Sequence, residues 1–193
     1  LTFGPDRVVN YEVGIKSDLP NHRASVEVAA YWIDWKDVQV QELNALGISY
    51  IDNAGSAVSK GVEASASWRP IQGLQIDAAL AYDDAHLTAD LPARGAVAPN
   101  GDPLPLSPRW SGNLAADYRF SLAGPWSGVA GAEWRHVGQT QGSFANPGLP
   151  RFVHPAYDVV NLRAGIGRPG WSLDAYARNI GDSRGQSAEI QLG

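Results

Sequence analysis

Hydrophobic and polar residues alternate with a period of two over much of this chain. The alternation is strict from residue 61 to 69, where apolar residues share one side and the residues between them are mostly polar or charged. The apolar positions of that stretch are Val62, Ala64, Ala66 and Trp68. A period of two is that of a β-strand, whose successive side chains point to opposite faces of a sheet. Pro70 and Gly73 then predict a short turn into a second alternating stretch, residues 74–84.

Six further stretches alternate in the same way, and no sustained helical period occurs. They cover residues 8–17, 24–42, 109–120, 130–135, 160–166 and 171–178. In the second of them we expect the strand to continue as a polar segment through residues 34–42, beyond whatever covers its apolar face. The pattern therefore predicts an all-β, antiparallel fold with about eight strands.

Short and long connections are sorted along the chain. Those after the first, third, fifth and seventh strands are short turns, whereas residues 86–107 and 139–155 are long connections rich in Pro and Gly. The connection after the second strand is shorter than this rule predicts. Bacterial outer-membrane barrels combine short periplasmic turns with long extracellular loops. The sorting favours such a barrel over a soluble β-sandwich, which explains the alternation equally well.

The two faces favour the same interpretation. Charged residues recur on the polar face, as a hydrated lumen requires, and aromatic residues cluster at strand ends, as in the girdles at membrane interfaces. Trp110 and Phe120 lie ten residues apart on one face. At ~3.3 Å per residue and a tilt near 40° they stand roughly 25 Å apart in height, which matches the apolar band. We expect lipid contact for Val62, Ala64, Ala66, Trp68, Leu74, Ile76, Leu114, Leu162 and Leu173.

Composition excludes several other classes. Hydrophobic residues make up 44% of the chain, but no apolar run is long enough for a transmembrane helix. The net charge of -5, without a basic stripe, argues against nucleic-acid binding. Cysteine is absent, which excludes disulfides and thiolate sites. Without a phosphate-binding loop, a nucleophile elbow or an HExxH motif, we expect no enzymatic activity, cofactor or metal. The acidic residues Asp83, Asp84 and Asp90 near His86 are a candidate site for a divalent ion at a loop tip, but charged loops are usually solvated, which is the expectation here.

Five motifs, in the expected order, resemble those of the TonB-dependent outer-membrane receptors. They are NYEVG at residues 10–14, YWIDWKDVQ at 31–39, NAGSAVSKGVE at 53–63, LSPR at 106–109 and NIGD at 179–182, where Gly181 departs from the family pattern. The resemblance implies a barrel of roughly 22 strands occluded by a plug domain. It also implies energised import of a scarce ligand, typically a ferric siderophore, through contact with TonB in the bacterial outer membrane.

On this interpretation, residues 1–193 are the C-terminal segment of a receptor β-barrel, an open antiparallel up-and-down sheet with no plug domain. The partners implied are outer-membrane lipid and lipopolysaccharide, the TonB complex through an N-terminal plug region, and a small molecule such as a ferric siderophore. Two alternatives remain. One is a soluble or surface β-sandwich that binds carbohydrate or acts in adhesion. The other is a complete eight-stranded outer-membrane barrel, against which the ending at residues 191–193, in an expected loop, argues.

Three arginines are the candidate ligand-binding residues. By parity Arg109 and Arg135 fall on the lumen face near the long-loop end, and Arg151 lies in the neighbouring long loop. A guanidinium group offers a rigid fork of donors that suits carboxylate, catecholate or phosphate oxygens. The three side chains are therefore a candidate rim for an anionic ferric siderophore. The plainer alternative is that they pair with acids such as Glu133, or with lipopolysaccharide phosphates.

Overall fold

The computed structural model describes residues 3–19, 23–43, 49–53, 55–91, 98–145 and 150–186. The predicted turn at 19–23 and the NPGLP run at 146–150 fall partly outside these residues, and the final residues 191–193 fall entirely outside them. The strands are β1 (Arg7–Asp18), β2 (Ala24–Lys36), β3 (Gln39–Leu43), β4 (Ser49–Asn53), β5 (Ser56–Trp68), β6 (Leu74–Leu87), β7 (Trp110–Ser121), β8 (Ser127–Val137), β9 (Thr140–Gln141), β10 (Val153–His154), β11 (Tyr157–Arg168) and β12 (Trp171–Ala177).

Eight of these strands form one antiparallel sheet in the order β1-β2-β5-β6-β7-β8-β11-β12. Sequential long strands are neighbours throughout, so the topology is an up-and-down meander, as the alternation predicts. Within the described residues, β1 and β12 are the two edges and no ladder joins them. The sheet is therefore open, and the alternative of a closed eight-stranded barrel is wrong. The other sheets described are the two-stranded pairs β3–β4 and β9–β10, so the sandwich alternative lacks a second layer.

The connection after β2 differs from the expectation. β2 ends at Lys36 rather than continuing through residue 42, because Asp37 adopts a positive φ of 55° and turns the chain. Aspartate tolerates this left-handed conformation better than most residues. Residues 37–55 then contain the β3–β4 pair, so this connection is long after all. Connections 37–55, 88–109 and 138–156 leave one end of the sheet, and the short turns leave the other.

The buried hydrophobic residues of the described chain all lie at the long-connection end. Five of them form one cluster: Val38, Ala57, Leu87, Leu91 and Ala98. Trp35, Leu104 and Phe144 pack against this cluster, so residues from all three long connections share it. We call the described parts of these three connections the cap. Among the described residues there is no helix of the length and hydropathy that a membrane span requires.

Candidate functional site

The strand registers place residues of like polarity on one face of the sheet. Directly opposed residues in an antiparallel pair share a face, and one complete row crosses seven strands without a polar residue. That row is Ala24, Trp68, Ile76, Ala116, Ala132, Leu162 and Ala177. All nine residues expected to contact lipid lie on this apolar face. Nothing in the described chain covers it, since Leu173 is 64% exposed and Leu114 is 46% exposed. A continuous uncovered apolar surface of this extent is typical of a surface made for another phase or partner.

The opposite, polar face is concave. One cavity of about 600 Å³ is lined by residues that run from Glu12 on β1 to Arg135 on β8. The sheet curves towards this face, because a single cavity otherwise could not reach across six strands. Glu27 and Glu63 also line it, together with alanine, serine and glycine residues of the central strands. We call this cavity the trough. It is a polar, charged surface that backs directly onto the apolar face.

A cross-strand ion pair braces the polar face. Asp117 on β7 and Arg163 on β11 flank Gly131 of β8 in one register row. The Nη2 and Nε atoms of Arg163 lie 2.6 Å and 2.8 Å from Asp117 Oδ1, so the pair spans the intervening strand. A Cβ on Gly131 would overlap both partners. Glycine at this position leaves room for the close approach of the two side chains and is not part of a turn.

Aromatic residues of the apolar face gather near both ends of the strands. At the short-turn end, Tyr118 and Phe120 stack with ring centroids 5.4 Å apart. In the same region Trp126 and Trp171 meet edge to face at 5.0 Å, and Arg168 lies over both rings. The position of these rings at strand ends is that of an interfacial girdle, because indole and phenol rings prefer the boundary between an apolar and a polar phase.

The girdle at the other end consists of Trp32, Tyr82, Trp110 and Trp134, with Tyr82 and Trp110 in ring contact at 4.8 Å. The registers from Trp32 on β2 to Trp134 on β8 show how far the aromatic position shifts along the strands. Tyr82 lies two residues from the position opposite Trp32, and Trp134 lies four residues from the position opposite Trp110, in the same direction. Where strands tilt by 40–45° from the barrel axis, a line at constant height moves along the strands as it crosses from one to the next. Over four strand spacings of ~4.8 Å this movement amounts to about five to six residues. The four rings therefore trace one level of a tilted barrel wall.

The structure does not bring the three candidate arginines together. Arg135 lies on the polar face and lines the trough, and it has no ion-pair partner among the described residues. The guanidinium of Arg109 instead lies 3.4 Å from Asp84, a residue of the apolar face. Parity had placed Arg109 on the lumen face, but it precedes β7 and its long side chain reaches across the strand end. Arg151 donates to Asp102 at 2.6 Å within the cap.

The acidic residues near His86 are likewise separated. Asp83 accepts hydrogen bonds from Ser59 and Ser107, at 2.6 Å and 3.0 Å. Asp84 points to the other face, and Asp90 accepts from the backbone N–H of Asn100 in the cap. Alternation along β6 explains the split between Asp83 and Asp84, since adjacent residues of a strand face opposite ways. No group of three potential metal ligands occurs in the described part of the chain.

Sequence reasoning missed the polar centre of the cap. Asp102 is 6% exposed, and it accepts from Arg151 through Oδ1 and from the backbone N–H of Ala145 through Oδ2 at 2.9 Å. Arg151 also donates to the carbonyl groups of Ser143 and Pro103. The contact joins residues 49 positions apart in two aperiodic connections. No local pattern in the sequence predicts this contact. The hint that the sequence does offer is that Arg151 lies in a long loop, where its charge calls for an acidic partner.

Comparison with known proteins agrees with this architecture. The family model described as TonB dependent receptor-like, beta-barrel matches residues 2–180. The metal-pseudopaline receptor CntO of Pseudomonas aeruginosa is 32% identical over 163 residues, which cover 84% of this chain and 22% of CntO. The chain thus spans about a fifth of the length of that relative.

Solved receptor structures share the fold. The ferric yersiniabactin uptake receptor FyuA from Yersinia pestis superposes with a TM-score of 0.77 at 20% identity, over 99% of this chain and 27% of FyuA. The siderophore receptor PiuA from Acinetobacter baumannii gives 0.72 at 19% identity, over 94% of this chain and 25% of PiuA. The open eight-stranded sheet, its apolar outer face and the family match lead to one conclusion: this chain belongs to the TonB-dependent receptor β-barrel family and represents a fragment of that barrel.

Proposed function

We propose that residues 1–193 form the C-terminal part of the barrel wall of a TonB-dependent transporter that imports a ferric siderophore. Proteins of this family reside in the outer membrane of Gram-negative bacteria, and we propose the same location for this chain. Contact with the TonB complex would be made by a plug region outside this segment. The observation that carries the proposal is the two-sided wall, in which an uninterrupted apolar row backs a concave, charged trough. That arrangement separates lipid from a hydrated passage.

Of the three candidate arginines, we propose Arg135 for contact with the cargo. Its support is its position in the trough and the lack of an ion-pair partner among the described residues. Arg109 and Arg151 are already paired with Asp84 and Asp102. A guanidinium without a carboxylate partner retains all five donors for an anionic chelate.

A second cargo is favoured by one specific observation. CntO, named for metal-pseudopaline, is 32% identical to this chain, whereas the solved siderophore receptors FyuA and PiuA are 20% and 19% identical. A metal complex of pseudopaline is therefore the second candidate. Both cargoes are metal chelates, so the wall segment has the same task in either case.

Uptake by the full-length receptor tests the proposal. Cells that carry or lack the receptor gene receive a radioactive ferric siderophore or a radioactive metal–pseudopaline complex, with TonB present or deleted. We expect accumulation that needs both the receptor and TonB, and we expect it for the siderophore. Accumulation of the pseudopaline complex alone would transfer the proposal to the second cargo. Uptake of neither chelate would refute the assignment of a metal-chelate cargo.

The proposed role of Arg135 is tested by comparing two substitutions. Arg135→Gln in the full-length receptor is expected to raise the cargo concentration that gives half-maximal binding by about tenfold, as loss of one charge-assisted contact does. Arg119→Gln is the matched control, because Arg119 lies on β7 towards the short-turn end and lines a different cavity. Equal effects of the two substitutions would show a general effect of charge and remove Arg135 from the cargo site.

A further inference from the structure

We propose that Arg23 and Arg69 form a transient binding site for the anionic metal chelate where it leaves the barrel on the periplasmic side. The two residues lie at the short-turn end of the polar face, opposite to the end that carries the cap. In an outer membrane the short turns face the periplasm. The inference rests on the proposed function and deepens it, because it adds a second contact for the same cargo at the other end of the passage.

A cavity at this end of the polar face holds the two residues. Its volume is about 640 Å³, and it shares no lining residue with the trough. Arg23 and Arg69 line it together with Gln75, Asp117 and Arg119, and all three arginines are exposed. Small-molecule sites commonly have volumes of ~300–1,000 Å³. We call this cavity the exit cavity, and it has the size and the donors to receive a small anion.

The placement of Arg23 against Arg69 is unfavourable for the chain alone. The backbone N–H of Arg69 donates to the carbonyl of Arg23 at 2.7 Å, one position beyond the paired residues Ala24 and Trp68. The two arginines are therefore directly opposed on neighbouring strands, and like charges in opposed positions destabilise a sheet. Such a break with a local rule is expected where a residue serves function rather than stability. An anion between the two guanidinium groups would relieve the repulsion.

The acids of the polar face are concentrated one register row further from the short turns. The row of the pair has three positive residues and one negative residue, which are Arg23, Arg69, Arg163 and Asp117. The next row inwards has the reverse balance, with Asp18, Asp77 and Glu133 against Arg178. The two rows together are neutral, but their charges are separated. An anion that has passed the inner row is therefore drawn towards the arginines and the periplasm.

The existing contacts leave the pair available. Asp117, the acid of the same row, is held by Arg163 at 2.6 Å. Asp77 accepts from Gln75 Nε2, and Arg69 Nε donates to the neutral Oε1 of the same Gln75 at 3.3 Å. Neither Arg23 nor Arg69 makes an ion pair within the part of the chain that the structure describes. Their guanidinium groups retain donors that suit the carboxylate or catecholate oxygens of a chelate.

Uptake by cells that carry the full-length receptor tests the site. The probe is a radioactive ferric siderophore, for which binding to resting cells and TonB-dependent accumulation are measured separately. We expect R23Q/R69Q to lower the maximal uptake rate by about tenfold, the lower end of what electrostatic focusing contributes to rates. The concentration that gives half-maximal binding should change by less than about twofold, because resting cells bind the chelate at the long-connection end.

Two further variants separate the site from general effects of charge. R23K/R69K keeps both charges and should retain most of the uptake rate. R7Q/R184Q removes the same charge at the long-connection end, and it should change the rate by less than about twofold. Undiminished uptake by R23Q/R69Q, an equal loss in R7Q/R184Q, or a full loss in R23K/R69K would overturn the proposal.

Urea unfolding of the purified full-length receptor gives a result that does not depend on uptake. Because the two arginines repel each other, we expect R23Q/R69Q to unfold at the same urea concentration as the unaltered receptor or at a higher one. A lower midpoint would overturn the proposal, since an acid of the plug region would then already neutralise the pair. Absence of uptake by the unaltered receptor would instead refute the proposed function, and the exit site would fall with it.

Discussion

The Asp102–Arg151 pair is the contact whose loss we expect to disturb this wall segment most. It joins the connection after β6 to the connection after β8, next to the hydrophobic cluster of the cap. In Arg151→Ala, Asp102 keeps one hydrogen bond, from the backbone of Ala145, and loses its only ion-pair partner in the described chain. The substitution should therefore loosen both connections together, without changing the sheet.

The magnitude follows from burial. Breaking a fully buried ion pair by removing one partner costs about 3–5 kcal/mol, chiefly because a charge is left without compensation. The Asp102 side chain is 5% exposed, but that of Arg151 is 23% exposed, so water reaches one side of the pair. We therefore expect a loss at or just below the lower limit of that range, about 2–3 kcal/mol of local stability. At 1.4 kcal/mol per factor of ten, local opening of the cap becomes roughly 30 to 150 times more frequent.

Hydrogen exchange on the full-length receptor measures this opening. Peptides that contain the amides of Leu106 and Ala145, which donate to Gln141 and Asp102, should exchange faster by that factor in the variant. The amides of the central strands should be unaffected. Lys16→Ala is the control, because it breaks an ion pair whose side chains are 71% and 56% exposed. Such exposed pairs contribute about 0–1 kcal/mol.

Unchanged protection of the cap in Arg151→Ala would refute the reasoning, since the pair would then carry no local stability. A double-mutant cycle that combines Arg151→Ala with Asp102→Asn sharpens the test. The double variant should lose less than the sum of the two single losses, because each single change already removes the shared interaction. Strict additivity would mean that the two side chains stabilise the cap independently.

Three further predictions concern the sheet. Leu114→Arg places a charge on the exposed apolar face and should cost about 2–4 kcal/mol if the site lies near the membrane midplane, measured by urea unfolding of the receptor in lipid vesicles. Gly131→Ala should lower the thermal unfolding midpoint by no more than a few degrees, because the new Cβ displaces the side chains of the half-exposed Asp117–Arg163 pair, and such pairs contribute about 0–1 kcal/mol. The isolated chain should associate, since within the described residues the outer edges of β1 and β12 have no partner strand, and size-exclusion chromatography with light scattering detects it.

Each of these predictions has a matched comparison. Asn113→Arg faces the trough and should cost little, so a cost equal to that of Leu114→Arg would contradict the assignment of the faces. Gly181→Ala meets nothing within 4 Å and should leave the midpoint unchanged. A stable monomer of the isolated chain would contradict the expectation that open edges pair with further strands.

Local sequence pattern determined the strands and their two faces. The alternation in β5 places Val62 and Glu63 on opposite sides whatever the rest of the chain does, because successive residues of a strand point opposite ways. The same rule, applied to each strand, placed all nine predicted lipid-facing residues on one face of the sheet. Registers across the sheet had to keep those faces aligned, since a slip of one residue would invert a strand.

Only the tertiary structure decided the features at the strand ends. The turn at Asp37, which separates the β3–β4 pair from β2, depends on one backbone angle that aspartate can adopt but its sequence context does not signal. Arg109 reaches Asp84 on the apolar face because a long flexible side chain at a strand end is not bound by parity. The Asp102–Arg151 contact joins two connections without any period. Alternation constrains neighbours along the chain, whereas contacts between loops arise only when the whole sheet brings distant segments to the same end.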